Sequence, residues 1–143
     1  VTPESVTGAP PATVTFLIVG AGGALGAIAR WLAEGGGQPA PGDDVWRTMV
    51  INVVGCLAIG VLSGWLSMRT ADSKRAIDHQ LRAFVGVGFL GGFTTFSAYA
   101  GDAVLLIGEG SWALALGYIT GTVACCLVAV IIGSRAIRSL VRA

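Results

Sequence analysis

Charge is what this sequence has least of. Only 12% of its 143 residues are Asp, Glu, Lys or Arg, where a soluble domain carries about 25%, so the chain lacks the polar surface that would hold it in water. Net charge is scarce as well: nine basic residues against eight acidic leave +1, which removes the electrostatic footprint of a nucleic-acid binder. Histidine occurs once, at His79 in a polar connector, and reads as a solvated loop residue. The three cysteines, Cys56, Cys125 and Cys126, sit inside apolar runs without metal-ligand spacing and read as small packing residues. No basic residue precedes the first apolar run, so the start is not built like a secretory signal. Intramembrane carboxylates are almost missing too, with Asp102 the one candidate, late in the third apolar run.

What is present is apolar length. Hydrophobic residues make up 54% of the chain and the mean hydropathy is +0.77, and a bilayer core takes about 20 apolar residues per helix. Four such runs follow one another, at about 14–33, 46–67, 83–107 and 112–133. The layout predicts an all-α membrane protein: a flexible tail over 1–13, one four-helix transmembrane domain over 14–134, and a basic tail over 135–143. Trp46 and Trp65 stand at the ends of the second run like interfacial anchors. Four crossings put both termini on one side. That side carries Arg69, Lys74, Arg75, Arg82, Arg135, Arg138 and Arg142, against Arg30 and Arg47 opposite. Seven against two is a positive-inside bias, so both termini are expected in the cytoplasm, with the chain in the cell membrane.

The glycines admit two readings. Residues 14–26 resemble a strand, a phosphate-binding glycine turn and a helix start, and 86–91 give a second match. A dinucleotide fold, however, needs an acidic residue about 20 positions on within a soluble βαβ unit. Here Asp43 and Asp44 are reached through a Gly/Pro loop that leads into another apolar run. The membrane reading is close helix packing at four-residue spacing, by Gly22 with Gly26 and by Gly117 with Gly121.

The third run contains Gly91-Gly92-Phe93-Thr94-Thr95-Phe96-Ser97-Ala98-Tyr99. Two glycines cost roughly 1 kcal/mol each in a helix interior, and Thr94 and Thr95 weaken the same turn, so the helix is expected to open here. Main chain freed at bilayer depth persists only when buried in protein or lining a cavity, as in ion-handling proteins. Polar side chains share faces elsewhere: Thr48 with Asn52 on the second run, Tyr118 with Thr122 on the fourth. Amide, hydroxyls, the Arg30 guanidinium and aromatic edges form a set of donors that suits an anion shedding its water.

These motifs resemble those of the small bacterial fluoride channels, the Fluc or CrcB family. The resemblance rests on Gly22-Gly23-Ala24-Leu25-Gly26-Ala27-Ile28-Ala29-Arg30, on Thr48-Met49-Val50-Ile51-Asn52-Val53-Val54-Gly55, and most specifically on residues 88–97. It covers all four runs. It implies an antiparallel dimer of four-helix subunits, with itself or with an oppositely inserted sister subunit, and two fluoride pores. It also implies a structural sodium ion on the backbone carbonyls of Gly91 and Thr94. Asn52, Phe96, Ser97, Tyr99, Tyr118, Thr122 and Arg30 are the fluoride-path residues it implies, with Tyr99 standing where the family commonly has Phe. The expected activity is passive fluoride export by a channel, not an enzyme. The alternatives are a small antiparallel multidrug-type transporter, disfavoured because the first run holds no carboxylate, and a dinucleotide-binding enzyme.

Overall fold

The computed structural model describes residues 11–36, 44–69 and 75–142. Expectations for 1–10, 37–43 and 70–74 lie outside the described residues. The elements are α1 (Ala12–Ala33), α2 (Asp44–Leu66), α3 (Arg75–Leu81), a π-helical segment (Arg82–Phe89), α4 (Leu90–Phe93), α5 (Phe96–Gly108) and α6 (Trp112–Arg142). Four stretches, Ala12–Ala33, Val45–Leu66, Ile77–Gly108 and Trp112–Val141, are long and apolar enough to cross a membrane. No strand occurs among the described residues. The glycine-rich 14–26 run is continuous helix, as the membrane reading expects and the strand-and-turn alternative does not: in lipid the backbone satisfies itself within a helix. The chain is an all-α, multi-pass membrane protein.

Two helix pairs build the bundle. α1 packs along the π segment and α4, while α2 and α6 pack against each other and α5 lies between α6 and α2. Small residues make both crossings. A Cβ on Gly26 would fall on the Phe89 carbonyl and within 2.9 Å of the Phe93 nitrogen, and one on Gly60 would strike the main chain of Val130. Only a missing side chain lets backbones approach so closely. Gly22 behaves like Gly26, against Phe84 and Gly88. Gly117 and Gly121 do not, since nothing among the described residues lies within 4 Å of the Cβ either would carry. Their spacing marks a face that this chain does not itself cover.

Between α5 and α6, Gly110 turns the chain with φ 75°, and the Ser111 N–H reaches back to the Leu106 carbonyl at 2.9 Å. On the other side, Arg69 lies 4.5 Å from the Trp65 ring and 3.4 Å from the Asp78 carboxylate, joining the end of α2 to α3. His79 is exposed on α3. α6 runs on through the stretch expected as a basic tail, so its 31 residues extend about 46 Å at about 1.5 Å each. Ala136, Ile137, Leu140 and Val141, interleaved with the arginines, are strong enough helix formers to carry the helix beyond the bilayer core.

Candidate functional site

The third span is open at mid-length, though three residues later than the glycine pair. Gly91 and Gly92 remain helical within α4, and the break falls on Thr94 (φ −79°, ψ 155°) and Thr95 (φ −142°, ψ 124°). Both are extended, a conformation that β-branched residues favour. The opening expected within residues 91–99 is therefore present, carried by the threonines rather than by the glycine pair. Gly92 serves packing instead, because a Cβ there would strike the Gly23 carbonyl of α1.

A side chain from α2 holds the break open. The Thr95 N–H donates to Asn52 Oδ1 at 2.8 Å, and Asn52 Nδ2 donates to the Thr95 carbonyl at 3.0 Å. One carboxamide thus satisfies both main-chain groups of one residue, as a neighbouring strand would in an antiparallel ladder. Thr95 then caps α5: its Oγ1 accepts from the Ala98 N–H at 3.1 Å and lies 3.2 Å from Ser97 Oγ. Thr94 closes α4, donating from both its N–H (2.9 Å) and its Oγ1 (2.8 Å) to the Leu90 carbonyl.

This diversion frees carbonyls at the end of α4, those of Gly91 and Thr94 among them. In an unbroken helix the Thr95 N–H would bond the Gly91 carbonyl and the Ala98 N–H the Thr94 carbonyl. Both N–H groups go to side chains instead. Gly91 and Thr94 also line one hollow of about 120 Å³. Two released oxygens are the donor set a hard cation takes, so the residues expected to hold sodium fit that ion chemically.

Around the break lies a larger cavity of about 330 Å³, whose lining includes Asn52, Thr94, Thr95, Phe96, Tyr99 and Thr122. Four expected path residues are therefore gathered on one surface. Tyr118 joins them through its ring, 5.4 Å from that of Tyr99, which is 5.6 Å from Phe96. Ser97 is exposed on the first turn of α5. Arg30 stands apart at the end of α1, beside Glu34.

Much of the expected donor inventory is already engaged. The Tyr99 hydroxyl donates to the Ile119 carbonyl at 3.0 Å and the Tyr118 hydroxyl to Asp102 Oδ2 at 3.0 Å. Asp102, read from the sequence as near the interface, is 7% exposed and packs within the bundle. Asn52 keeps one amide hydrogen beyond its bond to Thr95. Thr122, 3% exposed, has a buried Oγ1 with no partner among the described residues. The clamp of Asn52 on Thr95 and the use of Asp102 were not read from sequence. A lone Asn four residues after Thr48 was the signal for the first, and a carboxylate sixteen residues before a tyrosine gives no local signal for the second.

A four-span bundle whose third helix is opened and clamped beside a cavity defines a small multi-pass membrane protein of the ion-handling class. Comparison narrows this: the chain belongs to the CrcB family, because residues 17–134 match the family model described as "CrcB-like protein, Camphor Resistance (CrcB)". It is similar to "Fluoride-specific ion channel FluC 2" of Nocardia farcinica, 41% identical over 90% of this chain and 89% of the relative. It is also similar to "Fluoride-specific ion channel FluC" of Paracoccus denitrificans, 44% identical over 83% and 90%, and of a Methylobacterium strain, 41% identical over 87% and 94%. Those relatives are named as channels, not enzymes.

Proposed function

We propose that this chain is a subunit of a passive, fluoride-selective channel that empties fluoride from the cytoplasm. The observation that carries the reading is the clamped break, which sets freed main-chain oxygens beside a cavity lined in part by Asn52, Thr95 and Thr122 in a membrane span. The names of the relatives support fluoride as the ion. Hydrogen fluoride crosses lipid as a neutral acid and ionises inside. Moving one charge through 100 mV is worth about 2.3 kcal/mol, so an inside-negative membrane expels the anion without coupling. Discrimination against chloride follows from a narrow path whose donors replace the hydration of the smaller ion.

The assembly is an antiparallel dimer. Phe96 is 79% exposed on the cavity-bearing face, and Gly117 and Gly121 approach nothing among the described residues of their own chain. One chain offers the Gly91 and Thr94 oxygens expected for the ion, and a second copy doubles them around a structural sodium ion. With the termini cytoplasmic by basic bias, the partner is an oppositely inserted sister subunit. A functional homodimer from this chain expressed alone argues against that pairing and for dual insertion.

The test is ion efflux from liposomes carrying the purified protein. Fluoride leaves down its gradient when a potassium ionophore carries the balancing charge, and chloride does not. Comparable chloride efflux, or fluoride movement that requires a proton gradient, refutes the reading.

A further inference from the structure

At the C-terminal end of α1 one guanidinium stands beside the Glu34 carboxylate and a second reaches the Glu34 main chain. Arg30 Nη1 stands 3.7 Å from Glu34 Oε1, with 28% and 29% of the two side chains exposed. Arg47, from the start of α2, donates through Nη1 to the Glu34 main-chain oxygen at 2.9 Å. The inner edge of Arg30 differs: its Nε is buried with no hydrogen-bond partner among the described residues. A charged group's N–H shut away from water without an acceptor is costly, and an anion is the acceptor that suits it. Glu34 does not supply one there, and its 3.7 Å separation from Nη1 exceeds the ~2.7–2.9 Å of a tight charge-assisted bond. It weakens the local field of Arg30 without closing a clamp on it.

The geometry points to Glu34 as a competitor built into the channel, one that sets how strongly Arg30 holds fluoride. This rests on the reading of Arg30 as a fluoride-path residue. Removing the carboxylate takes the three-residue corner from a formal charge of +1 to +2, at separations well inside a Debye length of about 8 Å. Conduction needs sites that attract an ion and also release it. A carboxylate one helical turn from the arginine keeps the site from becoming a trap.

Fluoride efflux from liposomes is measured at sub-saturating fluoride for the unmodified protein, Glu34→Gln, Arg30→Gln and the double variant. Glu34→Gln raises the initial rate roughly 1.5- to 5-fold, the range of an exposed ion pair. The gain shrinks as ionic strength rises from about 0.01 to about 0.15 M. Glu34→Ala gives the same sign, which guards against a folding artefact of one replacement. Arg30→Gln lowers the rate, and the double variant matches Arg30→Gln because Glu34 acts through Arg30. A fall or no change in both Glu34 variants, while Arg30→Gln impairs flux, overturns the inference and leaves the path reading standing. Additive effects in the double variant also overturn it. Unchanged flux in Arg30→Gln removes Arg30 from the path, and the inference falls with it.

Discussion

Thr122→Val separates fold from conduction more cleanly than any other single change in this site. Thr122 is 3% exposed on α6, its Oγ1 is buried and bonded to nothing among the described residues, and it lines the same cavity as Asn52. An unpartnered buried hydroxyl costs about 1–3 kcal/mol by mutational measures. Exchanging it for a methyl of nearly equal volume leaves the fold as stable or makes it more so, by on the order of 1 kcal/mol. If the hydroxyl donates to fluoride at the barrier, losing a hydrogen bond to a charged group removes about 1.5–3 kcal/mol. At about 1.4 kcal/mol per decade that is a flux loss of roughly 10- to 100-fold. Thr122→Ser restores the donor and most of the flux. The assay pairs a fluoride-electrode record of liposome efflux with a thermal unfolding curve in detergent. A Val variant that unfolds no earlier yet conducts like the unmodified protein refutes the placement of Thr122 on the anion path.

Other expectations follow from the same contacts. Gly26→Ala drives a methyl into the main chain of Phe89 and Phe93 and lowers stability by about 1–3 kcal/mol, visible as early unfolding or loss of folded material. Gly20→Ala, with nothing within 4 Å, is tolerated and gains up to about 1 kcal/mol of helix propensity. Thr95→Ala removes the cap on the Ala98 N–H and costs about 0.5–2 kcal/mol, whereas Thr95→Ser retains most of it. Asn52→Asp loses the donor to the Thr95 carbonyl and sets a negative charge beside the cavity. It abolishes fluoride efflux, and unaltered flux in that variant counts against Asn52 as part of the path.

The number of spans, their order and the location of the irregular one were legible because each follows from local composition. Apolar length marks a crossing, and a Gly-Gly-Phe-Thr-Thr run marks a weak turn. The site of opening was legible only to within a few residues. Gly92 could have served either flexibility or close packing, and its contact with Gly23 decides for packing. The π-helical segment before it has no marker in the sequence. Its i+5 bond from the Leu90 N–H to the Val85 carbonyl arises where Gly22 and Gly88 pull the backbones of α1 and the third span together. The side-chain donors were correctly grouped by helical face, yet which remained free was not readable. Tyr99 and Tyr118 spend their hydroxyls on partners 20 and 16 residues away. Such pairings depend on tertiary packing.

On the proposed function, the clamp offers one break that would serve ions of both signs. A broken helix presents carbonyls at one lip and N–H groups at the other. Left bare in lipid, each is a penalty of several kcal/mol. Asn52 and the Thr95 hydroxyl take the two N–H groups that helix geometry would have aimed at Gly91 and Thr94, so oxygens remain on the α4 side. On the α5 side, Phe96 and Ser97 form an opened first turn, where the positive end of the helix dipole lies, and Phe96 borders the cavity. A cation on those oxygens and an anion passing the opposite lip, as proposed, would be near enough for each to offset the field of the other. Asn52 is thus a structural clamp first and a donor second. Replacing it with an apolar side chain of similar size removes both partners of the Thr95 peptide and frees its N–H to return to the Gly91 carbonyl, so that on the proposed reading the cation would lose an oxygen and the anion path its opening together.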